Sequence, residues 1–239
     1  LLPLASGLKL ARWGELESDP KKKAAYLNGA VQLLLREQPK IEDPTRKASV
    51  HLTLIQALTA LNRKQEVLTQ LDGLMKLGPD AGVAMADIAF ERLSILNELD
   101  ENAQYPALPE RGAVKKPIPL PPFKQRFALA AKEYLKIVPD AENKVILDYK
   151  VADDLFSYGH YPQALQLMEK LAKEFPRSEQ GQAAMQILVS MAGQNNQYDE
   201  VIRLSTNFLN NRRVKGKTIR DFLKESLDWA KSQREIVGH

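Results

Sequence analysis

Apolar residues recur every three or four positions in blocks of 13 to 19 residues, and this spacing most constrains what the chain can fold into. Such a spacing places one apolar stripe along a helix, whereas a half-buried strand alternates apolar and polar residues with a period of two. No segment of the sequence alternates convincingly between turn residues. The pattern therefore predicts an all-α chain.

Proline separates these blocks, because a residue before proline is pushed out of the helical region of backbone conformation. The separating dipeptides are Asp19-Pro20, Gln38-Pro39, Gly78-Pro79, Val138-Pro139 and Phe175-Pro176. Between them we predict helices at residues 5–17, 20–37, 44–61, 64–77, 80–98, 124–138, 141–158, 162–175, 178–195, 198–211 and 217–236. The connections are mostly short, which makes sequential helices pack antiparallel.

The stretch from Glu98 to Phe123 interrupts the helices. It contains six of the 14 prolines, a density that favours extended polyproline conformations and excludes a helix. We interpret it either as a connector that lies over the surface or as a hinge between two helical halves. The predicted domains are N-terminal helical repeats at 1–98, a proline-rich connector at 99–123, and C-terminal repeats with a capping helix at 124–239.

A spacing of 37 residues recurs in the C-terminal half. It separates Pro139 from Pro176, Tyr161 from Tyr198, and Ala164 from Val201. A two-helix unit cannot bury its apolar face alone, so repeated units stack and share a core. The alternative is an irregular all-α domain in which the spacing is coincidental.

Residues 145–176 resemble a tetratricopeptide repeat. Ala152 and Ala164 correspond to the small residues of its two helices, and Gly159 and Tyr161 to its turn. The resemblance implies an α-solenoid of antiparallel helix pairs. Asp148 departs from the family pattern, which prefers a large aromatic residue at that position.

The last predicted helix, residues 217–236, has the pattern of a capping helix. One face is apolar and the other is charged, as repeat arrays require at their ends. The apolar face consists of Ile219, Phe222, Leu223, Leu227, Trp229 and Ala230, and the outer face of Lys224, Asp228, Lys231 and Arg234.

The sequence shows no combination of residues that supports catalysis. It has no cysteine, no HExxH zinc motif, no glycine-rich phosphate loop and no GxSxG. We interpret His51 as a hydrogen-bonded core or surface residue, His160 as an exposed turn residue, and Asp153 with Asp154 as part of a solvated face. We therefore expect no enzymatic activity, no cofactor and no metal, with an enzyme of unrecognised all-α type as a third hypothesis.

The tetratricopeptide resemblance implies a groove lined by the first helix of each pair, where a partner peptide or helix binds. The corresponding residues in this sequence are Leu52, Gln56, Thr59, Tyr149, Asp153, Phe156, Gln186 and Ser190. For Tyr149 and Phe156 the alternative is a place in the core. The Lys and Asn pattern of members that clamp a C-terminal carboxylate is absent, so we do not expect that partner.

Positive charge is concentrated at the C-terminal end. Residues 203–239 carry nine basic and four acidic side chains, which gives this stretch a net charge of +5. The whole chain has a net charge of +4, so the remaining residues together carry about −1. A cluster of bases could bind the phosphates of nucleic acid or an anionic membrane surface, which is the main alternative function. Its candidate anion-binding residues are Arg212, Arg213, Lys215, Lys217 and Arg220, and a solvated loop is the simpler interpretation.

Two further features concern partners and compartment. The spacing from Lys116 to Pro122 fits the proline motifs that SH3-type grooves read, although it also arises by chance in proline-rich connectors. The ending Phe175-Pro-Arg-Ser178 resembles repeats of bacterial envelope proteins, and a cysteine-free chain suits an oxidising compartment. We expect a periplasmic or envelope-associated scaffold, with the cytoplasm as the alternative.

Overall fold

The computed structural model describes residues 2–237, in which eleven α-helices and no strand are found; His239 lies outside this range. This confirms the predicted all-α class. The helices are α1 (Leu2–Leu16), α2 (Pro20–Glu37), α3 (Pro44–Ala60), α4 (Lys64–Leu77), α5 (Met85–Glu101), α6 (Pro122–Ile137), α7 (Lys144–Ser157), α8 (Tyr161–Glu174), α9 (Glu179–Gln194), α10 (Tyr198–Asn210) and α11 (Lys217–Val237).

Several predicted helix ends differ from the structure by two to five residues, and two of these differences involve proline. Pro79 begins a short 3₁₀ turn that ends at the left-handed Gly82, so α5 starts only at Met85 and continues to Glu101. Helix α6 starts at Pro122, because the first turn of a helix does not use the amide that proline lacks. The stretch predicted to be free of helix therefore has helical residues at both ends.

The chain forms two compact units. The first consists of Leu1–Gln104 with Gln125–Pro139, and the second of Tyr105–Lys124 with Asp140–His239. Most of α6 thus belongs to the first unit, and the proline-rich stretch belongs to the second. The division expected from the sequence instead puts α6 in the C-terminal domain, at 124–239, and treats residues 99–123 as a separate connector.

The first unit is held by leucines from α2, α3 and α4. Leu34, Leu54, Leu58 and Leu71 are all fully buried in one apolar cluster. Helix α1 packs on α2 through a face of small residues: a methyl group on Gly14 would come within 2.5 Å of Leu27. Close approach of the two backbones therefore depends on the absence of side chains on this face of α1.

A network of charged side chains joins α4, α5 and α6 in the first unit. Asp72 accepts hydrogen bonds from Arg92 Nε and Arg126 Nη2, both at 2.6 Å, and Arg92 also pairs with Glu133. Arg92 is mostly buried. Bidentate use of the Asp72 carboxylate fixes the relative rotation of the three helices more tightly than apolar packing alone.

The second unit stacks helix pairs around one core. Consecutive helices from α7 to α11 contact each other, and α7 also contacts α9, while α9 also contacts α11. First helices of successive pairs therefore lie side by side, as in an α-solenoid. Ile219, Leu223 and Ala230 of α11 are buried, whereas the predicted outer residues Lys224, Asp228, Lys231 and Arg234 are exposed, which confirms the predicted capping helix.

Three helix pairs turn through the same backbone conformation. Asn62, Gly159 and Asn196 have φ of 56°, 78° and 55°. The next residue in each turn donates its amide to a carbonyl five residues back, at 2.9 Å: Arg63 to Leu58, His160 to Leu155, and Gln197 to Ala192. These are Schellman turns, in which a left-handed residue lets the last free carbonyls of a helix be satisfied.

We expect Asn62→Ala and Asn196→Ala each to lower the free energy of unfolding by about 1 kcal/mol, because alanine resists left-handed backbone more than asparagine does. Urea denaturation followed by circular dichroism measures the change. Asn195→Ala is the matched control, since Asn195 has a φ of −90° and alanine adopts it without strain. Equal effects at positions 195 and 196 would contradict the role assigned to the turn.

Candidate partner-binding surfaces

The groove residues expected on α3 share one exposed face. Leu52, Gln56 and Thr59 are spaced by four and three residues, and all three are exposed, whereas Leu54 and Leu58 between them are buried. The 3.6-residue period accounts for this separation. The face offers an apolar, an amide and a hydroxyl side chain to a partner.

The residues expected on α7 are arranged differently. Phe156 is only 4% exposed, covered by the Tyr161 ring at 5.2 Å and by the Arg111 guanidinium 5.4 Å from its ring centre. Tyr149 is half-buried and packs against the apolar core of the second unit. Neither ring is freely presented, because neighbouring side chains already cover them, so the core alternative holds for Phe156.

Asp153 and Asp154 are ion-paired, in contrast to the solvated face expected from the sequence. Asp153 pairs with Arg111, and Asp154 accepts from Lys124 Nζ at 2.8 Å. Both cations come from the chain between α5 and α7, far away in sequence. Only the tertiary structure could bring them to these carboxylates.

The chain from Tyr105 to Pro121, hereafter the proline-rich segment, lies on α7 and on the turn that follows it. The Val114 amide donates to Tyr161 Oη at 3.0 Å, and the Ile118 amide donates to the Tyr158 carbonyl at 2.9 Å. The sequence by itself leaves a surface connector and a hinge as alternatives and indicates no contact for Arg111, Val114 or Ile118. The signal in the sequence that could have indicated these contacts is the presence of isolated apolar residues among the prolines, next to a glycine.

On α9 the expected groove residue Ser190 lines an open depression of about 380 Å³, whereas Gln186 does not line it. Gln186 is half-buried and Ser190 is exposed at the rim. Helices α9, α10 and α11 of the second unit supply the walls, whose residues are Val189, Ser190, Gly193, Gln194, Val201, Phe222, Ser226 and Trp229. The sequence places Trp229 on the apolar face of α11 but gives no sign that this face extends into a surface depression.

Trp229 forms the most accessible apolar wall of this depression. Its ring is 43% exposed, lies edge-on to Tyr198 at 5.6 Å between ring centres, and rests on Gly193, where an added methyl group would come within 3.3 Å. The indole is thus held in place on two sides while one surface stays open. A preorganised aromatic surface of this kind is typical of anchor positions in protein interfaces.

The basic cluster is partly engaged within the second unit. Arg213 Nη2 donates to the Glu174 carbonyl at 3.0 Å, and Arg220 Nη1 donates to the Leu209 and Val214 carbonyls at 3.2 and 3.1 Å. Glu174 and Leu209 lie in the last turns of α8 and α10, where unpaired carbonyls favour cations. Arg212, Lys215 and Lys217 are exposed, so anion binding remains a prediction that rests on these three.

His51 and His160 occupy structural positions. His51 is buried, with Nδ1 at 2.9 Å from both Gln70 Oε1 and Gln38 Nε2, and burial lowers its pKa although the Gln70 hydrogen bond opposes this. His160 is half-buried, not exposed as predicted, with Nε2 at 2.9 Å from the Ile118 carbonyl oxygen. Burial also raises the pKa of Asp148, the residue that departs from the repeat pattern.

Among residues 2–237, no group of three or more metal-ligating side chains comes together, and none of the helices is long and apolar enough to cross a bilayer. In comparisons with known proteins, no family model matches the chain and no curated protein is significantly similar to it. The tetratricopeptide resemblance therefore rests on the residues of this chain alone.

We expect the first unit to lose stability as pH falls below 6.5, the ordinary value for histidine, because the unfolded chain then binds a proton that buried His51 resists. The slope cannot exceed about 1.4 kcal/mol per pH unit for one proton. His51→Gln, which keeps an amide able to hydrogen bond but cannot titrate, should flatten the dependence between pH 5 and 7. Identical slopes for the two proteins in urea denaturation would contradict this assignment.

Proposed function

We propose that the chain is a non-enzymatic scaffold of tetratricopeptide-like helix pairs that binds a partner peptide or helix along the first helices of its pairs. The observation that carries this proposal is the depression beside Ser190, where a groove position expected from the repeat resemblance meets a half-exposed tryptophan. Rigid helices hold both sides of it, which lowers the ordering cost of association.

The chemistry of the depression favours a large apolar side chain from the partner. Its floor is formed by Val189, Val201 and Phe222, and serine and glutamine side chains stand at its rim. Interfaces commonly bury an apolar anchor inside a polar rim that excludes water. A volume of about 380 Å³ accommodates one or two such side chains and lies at the low end of the range for ligand sites.

Repetition of the Schellman turn supports the choice of family. The residue four positions after the N-cap of the second helix is buried in all three pairs, and these residues are Val67, Ala164 and Val201. Helix pairs with the same turn and the same close contact stack in a regular way, and regular stacks present extended binding surfaces. This likeness concerns architecture, and the partner has to be identified by experiment.

A periplasmic or envelope-associated location is part of the proposal. The lack of cysteine and the Phe175-Pro-Arg-Ser178 ending support it. Fractionation of cells that produce the native protein is the test, and recovery in the cytoplasmic fraction would favour the alternative compartment.

The lack of cysteine also makes a sharp test possible, because a single introduced thiol is unique in the chain. A photoactivatable maleimide on Ser190→Cys should cross-link the partner in an extract of the native source. The same reagent on Thr69→Cys, an exposed position on α4, is the matched control and should give little product.

Placing the reagent on Lys217→Cys tests the electrostatic alternative. An anion-binding function of the basic cluster would be favoured if cross-linking from position 217 were strong and were lost at high salt, while position 190 gave none. Under the proposed function, Ser190→Tyr should fill the depression and weaken partner binding about tenfold or more, roughly 1.4 kcal/mol. Thr69→Tyr should leave the affinity unchanged.

A further inference from the structure

The proline-rich segment binds the second unit as an extended peptide would, although it is part of the same chain. Of the side chains between Pro106 and Pro119, only that of Val114 is buried, at 6% exposure. The remaining contacts are made by one cation and by main-chain groups. Most of the segment therefore faces solvent while a few positions hold it in place.

The first of these positions is Arg111. Its guanidinium pairs with Asp153 and lies over the ring of Phe156, with 5.4 Å between the guanidinium carbon and the ring centre. A carboxylate beside an aromatic face is a combination that favours arginine over lysine, because the planar guanidinium can use both at once. These two acceptors on α7 form a cation-binding subsite.

The second position is Val114, three residues later. Its side chain lies over Gly159, where a methyl group would come within 2.5 Å of Val114 Cγ1. The left-handed turn requires glycine-like backbone at this point, and the missing side chain leaves a notch that Val114 fills. Tyr161 Oη accepts from the Val114 amide at 3.0 Å at the edge of the notch.

The third position is Ile118, which is bound through its main chain and not through its side chain. The Ile118 amide donates to the Tyr158 carbonyl at 2.9 Å, and the Ile118 carbonyl lies 2.9 Å from His160 Nε2. One residue of an extended chain is thus held through both of its peptide groups. Any extended residue other than proline could satisfy this pair of contacts.

We infer that this surface, formed by Asp153, Phe156, Gly159, His160 and Tyr161, recognises extended polypeptides that carry an arginine followed three residues later by valine or isoleucine. Residues 111–118 occupy it as a tethered ligand, which a partner with the same pattern displaces. The inference rests on the proposed function in that it adds a second partner-contacting surface to the same unit. In this inference the predicted groove residues Asp153 and Phe156 bind the arginine of a partner. In the structure Arg111 of the tethered segment already occupies that position.

Physical features of the segment suit it to release and rebinding. Its prolines keep the free chain extended, so little conformational freedom is lost on binding. A tethered segment competes at an effective concentration on the order of millimolar, which masks the surface from weak ligands and yields to stronger ones. Binding in trans is then weaker by the fraction of molecules in which the surface is free.

The test uses the full chain and a fluorescent synthetic peptide with the sequence of residues 105–121. Fluorescence anisotropy measures its binding to the unsubstituted protein, to a release variant (Arg111→Ser with Val114→Ser), and to a control variant (Lys115→Ser with Lys116→Ser). The control removes neighbouring exposed side chains of the same segment. We expect the release variant to bind the peptide about tenfold or more tightly than the other two proteins.

Two additional measurements check that the site is the one described. Adding Asp153→Asn to the release variant should reduce peptide binding at least to the level of the unsubstituted protein, and a peptide with Arg111→Glu should fail to bind. In hydrogen exchange, the amides of Val114 and Ile118 should exchange faster in the release variant than in the control. The single variant Arg111→Ser keeps the buried Val114 side chain in place and serves if the double variant does not fold.

A folded release variant that binds the peptide no better than the control would overturn the inference, and the segment would then be a structural connector. That outcome leaves cross-linking from Ser190 unaffected, because no residue of the segment lines the depression beside Trp229, although Gly112 adjoins its lining residue Gln194. Failure of cross-linking at Ser190 together with tight binding of the peptide would contradict the proposed anchor site and support the inference.

Discussion

Three helix pairs turn back on themselves through one left-handed residue, and the surfaces that these pairs present depend on this constraint. The turn satisfies the carbonyls at the end of the first helix and directs the second helix antiparallel to it. Asn62, Gly159 and Asn196 have this conformation in helix pairs that otherwise share few side chains. Once the turn is set, small or β-branched residues such as Ala164 and Val201 can pack at the helix interface without separating the helices.

The turn after α7 has a second consequence because its left-handed residue is glycine. Asparagine would satisfy the backbone there, as it does at positions 62 and 196, but its side chain would overlap Val114. The position thus combines a conformational requirement with a steric one. It connects the local geometry of a turn to the placement of a remote extended segment, and through that segment to the surface we assign to partner binding.

Many charged side chains of this protein form specific hydrogen bonds and ion pairs and do not contribute to one broad charged surface. Arg213 and Arg220 donate to carbonyls near the ends of helices, Arg92 and Arg126 share Asp72, and Arg111 joins Asp153. Side chains that look like a basic cluster in the sequence are thereby divided between structural hydrogen bonds and exposed positions. This division is the physical reason to prefer partner recognition by shape and apolar contact over a broad electrostatic surface.

The apolar period and the prolines by themselves determined the all-α class, the order of the helices and the amphipathic capping helix, because each depends on residues close together in the chain. The groove positions on α3 are those that the repeat resemblance implies, and the same period accounts for their exposure. The sequence could not determine that Phe156 is covered, that Asp153 and Asp154 are paired, or that Trp229 borders a depression. Those properties depend on Arg111, Lys124 and Gly193, which lie elsewhere along the chain, and only tertiary packing within a unit brings such residues together.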